Sequence, residues 1–190
     1  RQEKTHEGKA KWSDDPMASL VSVEVNIIDG CNRTCSFCPH ASEEVYPNRY
    51  DWKMSHQLVV ILAVQLQQIK YQGRISMSGY GEPMLNKEVA GHISTFRHYL
   101  PKNIIEMNTN GDPLTVPNIQ RVFEAGLTQM YVNLYDNKEQ AAHFIKLFRE
   151  ADCHDFVMRP HFDAEDGYGL IINNRSGIVK PRQEPLEKRC

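Results

Sequence analysis

The chain has 190 residues, 22 basic and 24 acidic side chains for a formal charge of −2, and an apolar content of 41%. This length suits one domain with a buried core. The near-neutral charge argues against a dedicated nucleic-acid surface, and no apolar run approaches the roughly 18 residues of a membrane span. No basic and then apolar leader opens the chain, so we expect a soluble, cytoplasmic protein without a membrane partner.

Strands and helices are predicted to alternate from residue 21 onwards. Apolar runs predict five strands, at residues 21–28, 75–78, 104–107, 129–135 and 155–162. Ser55, Asn86 and Asp136 are suited to cap helices between them. The predicted buried helix faces are Leu58, Leu62, Leu66 and Ile69; Val89, Ile93, Phe96 and Leu100; Ile119, Val122 and Phe123; and Ala141, Ile145 and Phe148.

This alternation predicts an α/β fold with a parallel sheet and helices outside it. A complete barrel of eight βα units usually needs about 250 residues. We therefore expect an open, partial (β/α)5-6 barrel over residues 17–165, after a flexible polar arm at residues 1–16. Ligands of such sheets bind beyond the carboxyl ends of the strands. Polar or cysteine-containing segments follow each of the first three predicted strands.

The five cysteines are unevenly spaced, with three inside eight residues and two alone: Cys31, Cys35, Cys38, Cys153 and Cys190. This odd number does not suit a secreted disulfide framework. Thiolates prefer zinc, copper(I) or iron–sulfur clusters, so the first three indicate one inorganic centre. Structural zinc would need a fourth ligand, such as His40 or Cys153. An iron–sulfur cluster held by only three cysteines would keep one coordination position open.

The C-x3-C-x-aromatic-C spacing after a first strand resembles that of the radical S-adenosylmethionine (SAM) superfamily. Residues 78–83 (Ser-Gly-Tyr-Gly-Glu-Pro) resemble its Gly-Glu-Pro motif after the second strand. Residues 109–111 resemble its third strand ending. Residues 133–136 stand where many members contact the ribose or carboxylate of SAM. The resemblance extends over roughly residues 21–162.

This resemblance implies that Cys31, Cys35 and Cys38 bind a [4Fe–4S] cluster, whose fourth iron chelates the amino and carboxylate groups of SAM. One electron then splits the sulfonium C–S bond, and the 5′-deoxyadenosyl radical takes a hydrogen atom from a substrate. The resemblance thus predicts a radical SAM oxidoreductase. Its substrate, a peptide, a protein or a small molecule, is unidentified, and its electron donor, by analogy, is of the flavodoxin or ferredoxin type.

The resemblance also implies a set of SAM contacts. Phe37 matches the aromatic near adenine, and Asn133 is the favoured contact on the fourth strand. Asn26 would point into the barrel if Val25 points outward, and it is a weak candidate for contact with the substrate rather than with SAM. His161 alternates with Arg159 on the fifth strand, with a surface position as the alternative for both. For residues 108–110 the alternative interpretation is an Asx-type turn. For Tyr80 and Tyr135 it is packing. The remaining implied contacts are Gly79, Tyr80, Gly81, Glu82, Pro83, Asn108, Thr109, Asn110, Tyr135 and Arg159.

The last 25 residues are predicted to form a tail, at residues 166–190. Residues 174–177 (Asn-Arg-Ser-Gly) resemble the segment that follows the core in members with a SPASM or twitch extension, although Ser176 replaces an alanine. Such extensions bind auxiliary clusters through cysteines, and Cys190 is suited to be the first of these. The tail is therefore interpreted as a remnant or the start of such an extension. The alternative function is a non-catalytic, zinc-stabilised α/β binding module with His40 as fourth ligand.

Overall fold

The computed structural model describes residues 20–35, 37–41, 43–44 and 46–162. The predicted arm at residues 1–16 and tail at residues 166–190, with Cys190, lie outside the described residues. The strands are β1 (Ser22–Val25), β2 (Ile28–Asp29), β3 (Arg49–Lys53), β4 (Arg74–Met77), β5 (Ile105–Thr109), β6 (Gln129–Leu134) and β7 (Phe156–Pro160). The helices are α1 (His56–Gln68), α2 (Val89–Tyr99), α3 (Val116–Glu124) and α4 (Glu139–Glu150), with 3-10 turns at Pro39–Ala41 and Pro83–Leu85.

Five strands form one parallel sheet in the order β1-β4-β5-β6-β7. The chain thus adds each new strand to the same edge of the sheet. Neighbouring helices contact each other in chain order, so the four helices form one layer on one face. The predicted α/β fold with a parallel, open partial barrel is confirmed.

The core lies between the sheet and this helix layer. Because side chains alternate along a strand, each strand sends every second residue into the core. The registers align Val25 with Met77 and Met107 with Met130, and all four are buried. We call the opposite face of the sheet the inner face. It carries mostly polar side chains, namely Glu24, Ser76, Glu106, Asn108, Gln129, Tyr131, Asn133 and Arg159.

The first predicted strand, at residues 21–28, is divided in the structure. Its first part is β1, whereas β2 leaves the sheet and pairs antiparallel with β3. Residues 49–53 therefore form a strand that the sequence analysis does not predict. They alternate between charged and aromatic side chains (Arg-Tyr-Asp-Trp-Lys), which is a strand pattern, although four of the five residues are exposed. This ribbon carries the cysteine segment between its two strands.

Two helices are rotated relative to the predicted faces. Helix α1 buries Val59, Ala63 and Leu66, whereas Leu58 remains 48% exposed. Helix α4 buries Phe144 and Phe148 rather than Ile145. In contrast, the predicted apolar face of α2 is confirmed in full. None of the described helices combines the length and apolar character that a membrane span requires.

Candidate active site

The cysteine segment begins where β2 ends and lies over the carboxyl end of the sheet. Cys35 is buried, and Cys31 and Cys38 are half-buried. Sγ of Cys31 accepts hydrogen bonds from the backbone N–H of Arg33 (3.5 Å) and from Nδ2 of Asn110 (3.6 Å). Burial raises the pKa of the Cys31 thiol, Glu82 and Cys38 raise it further, and the two donors lower it. A bound cation that replaces the proton would remove this cost of ionisation, so the thiol environment fits a metal centre.

The three thiols are not arranged around one metal ion. Among the described residues, no three His, Cys, Asp or Glu side chains are grouped in the way that a single ion requires. His40 is buried against the ring of Tyr46, with the ring centroids 4.8 Å apart. Neither nitrogen of His40 has a hydrogen-bond partner among the described residues. The structure therefore offers no support for the zinc-stabilised alternative, while three thiolates around a larger cluster remain compatible with this geometry.

The segment after β4 lies directly against the cysteine segment. The backbone N–H of Glu82 donates to the carbonyl oxygen of Gly30 at 2.9 Å. A Cβ atom at Gly81 would overlap the carbonyl oxygen of Ile28, so only glycine permits this approach. Gly79 has φ +136°, and a Cβ there would lie 2.8 Å from the Asn26 side chain. The two glycines thus allow the edge after β4 to pack closely against Asn26 and Ile28.

The carboxylate of Glu82 is buried and joins two strand ends. It accepts hydrogen bonds from the backbone N–H groups of Met84 (3.0 Å) and Asn110 (2.7 Å) and from the hydroxyl of Thr109 (2.7 Å). Burial raises its pKa to about 7, although the three donors act in the opposite direction. Since every contact of Glu82 holds backbone or a strand-end side chain, its geometry is that of a positioning group.

Arg33, between the first two cysteines, was not predicted as a site residue. Its guanidinium donates to both oxygens of Asp112 at 2.6 Å and to both oxygens of Asp136 at 2.7 and 2.8 Å. Asp112 follows β5 and Asp136 follows β6, and their hydrogen bonds raise the pKa of Arg33. The guanidinium also lies 5.6 Å from the ring centroid of Tyr135. Arg33 therefore joins the cysteine segment to the ends of two further strands.

The ends of β6 and β7 contribute an aromatic wall. The ring of Tyr135 lies between those of Phe37 and His161, with centroid separations of 5.5 and 5.3 Å. His161 bonds Oδ1 of Asn133 through Nε2 at 3.0 Å, and the burial of the ring lowers its pKa. Asn133 in turn donates to the carbonyl oxygen of Thr109 at 3.2 Å.

These segments enclose a cavity of about 450 Å³. Thirteen of the fifteen residues predicted from sequence line it, and Pro83 and Arg159 do not. Arg159 instead donates to Oδ1 of Asn108 at 3.0 Å, and its guanidinium lies 3.7 Å from the ring centroid of Tyr131. The cavity wall also includes Glu24, Arg33 and Pro39, which were not predicted. Glu24 alternates with Val25 along β1, and this is the sequence signal that could have placed it on the inner face.

Comparison with known proteins agrees with this geometry. The profile of the Radical SAM superfamily matches residues 25–159, and the chain belongs to this superfamily. It is 31% identical over 166 residues to the S-adenosyl-L-methionine-dependent 2-deoxy-scyllo-inosamine dehydrogenase of Niallia circulans. That alignment covers 87% of the chain and 62% of the relative, so the chain spans about three fifths of the relative's length.

Solved structures are similar as well. The crystal structure of BtrN in complex with AdoMet and 2-DOIA superposes with a TM-score of 0.66 at 28% identity, covering 83% of this chain and 61% of that one. An open conformation of selenomethionine BtrN gives a TM-score of 0.57 at 27% identity, covering 74% of this chain and 56% of that one. The chain is thus a member of the radical SAM superfamily, whose cofactors are SAM and a [4Fe–4S] cluster.

Proposed function

We propose that this chain is the SAM-cleaving core of a dehydrogenase that oxidises a secondary alcohol on a polar, amine-bearing ring. The main support is the single cavity that joins three thiols, a glycine-lined backbone edge and amide-bearing strand ends. The dehydrogenase relative from Niallia circulans supports the reaction class, since its name specifies an inosamine as substrate. The polar inner face suits such a substrate better than an apolar one.

In this proposal Cys31, Cys35 and Cys38 hold the cluster. When bound, the cluster supplies the electron that splits the S–C bond of SAM. The residues of the chain orient the nucleoside. Backbone of Gly79 and Gly81, which line the cavity, pairs with the amino acid part of SAM. The other proposed SAM contacts are Phe37, Tyr80, Glu82, Pro83, Asn108, Thr109, Asn110, Asn133, Tyr135 and Arg159.

The proposed roles of Glu82 and Arg33 are indirect. Glu82 holds the backbone of Asn110 beside the thiol of Cys31. Arg33 closes the cavity toward β5 and β6 through its two carboxylate pairs. The aromatic wall formed by Phe37, Tyr135 and His161 excludes water from the same side. Exclusion of water and of side reactions is what radical chemistry requires of the surrounding protein.

The proposed oxidation removes one hydrogen atom, one proton and one electron from the alcohol. The 5′-deoxyadenosyl radical takes the hydrogen atom of the carbinol C–H bond and becomes 5′-deoxyadenosine. The substrate radical then loses the hydroxyl proton to water and one electron to an acceptor of the iron–sulfur class, which leaves a ketone. A SPASM or twitch extension, suggested by residues 174–177 and Cys190, would supply that acceptor. A flavodoxin or ferredoxin type of protein is the proposed donor of the first electron.

The proposal is tested with anaerobically reconstituted protein, SAM and dithionite. We expect 5′-deoxyadenosine in the absence of any substrate, and more of it with 2-deoxy-scyllo-inosamine, together with the corresponding ketone by mass spectrometry. Formation of 5′-deoxyadenosine that no amine-bearing ring alcohol stimulates would contradict the proposed substrate class. A cluster-loaded protein that forms no 5′-deoxyadenosine at all would contradict the proposed core reaction.

A further inference from the structure

Glu24 occupies a distinctive place inside the candidate active site. Its neighbour Val25 faces the helix layer and is buried, so Glu24 faces the opposite way, onto the inner face. Glu24 aligns with Ser76 of β4, and Gly79 lies three residues beyond Ser76. At about 3.3 Å per residue, the carboxylate therefore stands roughly 10 Å below the strand-end edge. It nevertheless lines the same cavity as the three cysteines.

The other charged side chains of the cavity wall already have ion-pair or hydrogen-bond partners. Arg33 is held by two aspartates, and Glu82 accepts three hydrogen bonds. The carboxylate of Glu24, in contrast, has no hydrogen bond or ion pair with any described residue. The nearest acidic group on the inner face, Glu106, stands two strands away and is paired with Arg74 at 3.3 Å. Among the described residues that line the cavity, Glu24 is thus the charged side chain without such a partner.

We propose that Glu24 is a specificity-determining residue that binds the ammonium group of a cationic, hydroxylated substrate. This inference rests on the function proposed above. A carboxylate in a partly enclosed cavity gains a charge-assisted hydrogen bond from an ammonium group, which a neutral hydroxyl matches only in part. The surrounding groups suit hydroxyls, because the amide side chains of Asn108 and Asn133 line the same cavity. The cavity therefore combines one carboxylate with neutral amide groups.

The test compares Glu24→Gln with the wild-type protein, using Glu150→Gln as a surface control. Glu150 is exposed and pairs only loosely with Lys146, at 3.8 Å, so it matches the charge change without touching the cavity. Two probes are titrated by calorimetry into reconstituted, SAM-loaded protein without reductant, so that no turnover occurs. One probe is 2-deoxy-scyllo-inosamine, and the other is the same ring with a hydroxyl in place of the amine.

We expect the wild-type protein and Glu150→Gln to bind the amine probe at least about tenfold more tightly than the hydroxyl probe. Glu24→Gln should lose that preference, through weaker binding of the amine alone. Its SAM affinity should stay within about twofold of the wild-type value. Glu24 is exposed in the free protein, so thermal unfolding of the variant should match the wild type.

Three results would overturn the inference. Equal amine affinity in Glu24→Gln and wild type would show that the carboxylate does not bind the ammonium group. A loss of SAM affinity instead would assign the charge to the sulfonium or amino group of SAM. Failure of the wild-type protein to bind the amine probe would remove the subsite altogether. None of these depends on SAM cleavage, whereas failure of the proposed core reaction appears as missing 5′-deoxyadenosine in the wild-type protein.

Discussion

At the scale of single residues, Gly81 allows the backbone of the segment after β4 to approach the backbone of β2. A Cβ at this position would overlap the carbonyl oxygen of Ile28, whereas Gly91, on the exposed side of α2, has open space around it. Position 81 therefore has no room for a side chain, whereas position 91 has room for one.

Gly81→Ala should destabilise the chain by at least about 2 kcal/mol, because the overlap is with backbone that cannot rotate away. Gly91→Ala, in contrast, should stabilise it by up to about 1 kcal/mol through the better helix propensity of alanine. Urea unfolding followed by circular dichroism measures both changes. A Gly81→Ala protein as stable as the wild type would mean that the two segments do not approach each other as described.

Cys35 is the most buried of the three clustered thiols, while Cys153 packs against the edge of the core and donates a long hydrogen bond to the carbonyl oxygen of Ala151. If the three cysteines are the cluster ligands, Cys35→Ala leaves two thiolates, which cannot retain a [4Fe–4S] cluster. We expect iron to fall from about four per chain to less than one, with loss of the brown colour. Cys153→Ala should keep its iron, and retention of four irons by Cys35→Ala would refute the ligand assignment.

At the scale of elements, Arg33 connects the cysteine segment with the loops after β5 and β6. The Arg33 hydrogen bonds lower the pKa of Asp136, so the pair stays ionised over the physiological range. The same aspartate was predicted to cap α4. In the structure Oδ1 of Asn137 instead accepts from the backbone N–H of Gln140 at 3.2 Å, while the carboxylate of Asp136 accepts from Arg33 and from Nε2 of Gln140. The first turn of α4 is thus capped by the neighbouring Asn137, and Asp136 joins it to Arg33.

Arg33→Lys keeps the charge but loses the two-pronged geometry of the guanidinium. We expect a loss of about 1–2 kcal/mol in the free energy of unfolding of the apo chain and faster release of iron from the reconstituted protein. Asp136→Asn should produce a similar change, and the two substitutions together should cost less than their sum. Lys146→Gln, at an exposed pair on α4, is the matched control and should have almost no effect. Strict additivity of the two site substitutions would contradict the described pairing.

At the scale of the whole molecule, one face of the sheet forms the core and the other face lines the candidate active site. Its helix-covered face is apolar and buried, whereas its inner face carries the polar side chains that surround the cavity. Glu82 is an exception, since it is a buried carboxyl group whose protonation affects the stability of the entire chain. Burial raises its pKa from 4.5 to about 7.

Because the folded chain holds this proton more tightly than the unfolded chain does, protonated Glu82 favours folding. Its contribution is complete below about pH 4.5 and is lost as the pH rises through 7. Relative to Glu82→Gln, the apo chain should therefore lose up to about 3 kcal/mol of unfolding free energy between pH 4.5 and 7.5. His92 and His161, whose pKa values are lowered by burial, act in the opposite direction but are common to both proteins. Parallel pH profiles would contradict the raised pKa of Glu82.

The sequence by itself determined the features that depend on neighbouring residues. The cysteine spacing lies within eight residues, the Gly-Glu-Pro segment within six, and the apolar period of α2 within one helix. Local periodicity also predicted the parallel sheet, since strands that alternate with helices leave few other arrangements. For the same reason, thirteen of the predicted site residues line one cavity, because strand ends of a parallel sheet meet at one edge.

The tertiary structure alone decided which long-range partners meet. Arg33 pairs with aspartates 79 and 103 residues away, and no local pattern specifies such a pair. Helix α1 offers two overlapping apolar faces, and its packing against α2 selected the one with Val59 and Ala63. Strand β3 exists because β2 pairs with it, although its own residues are exposed. Contacts of this kind follow from strand register and helix packing, which close large loops and are fixed only when the whole sheet assembles.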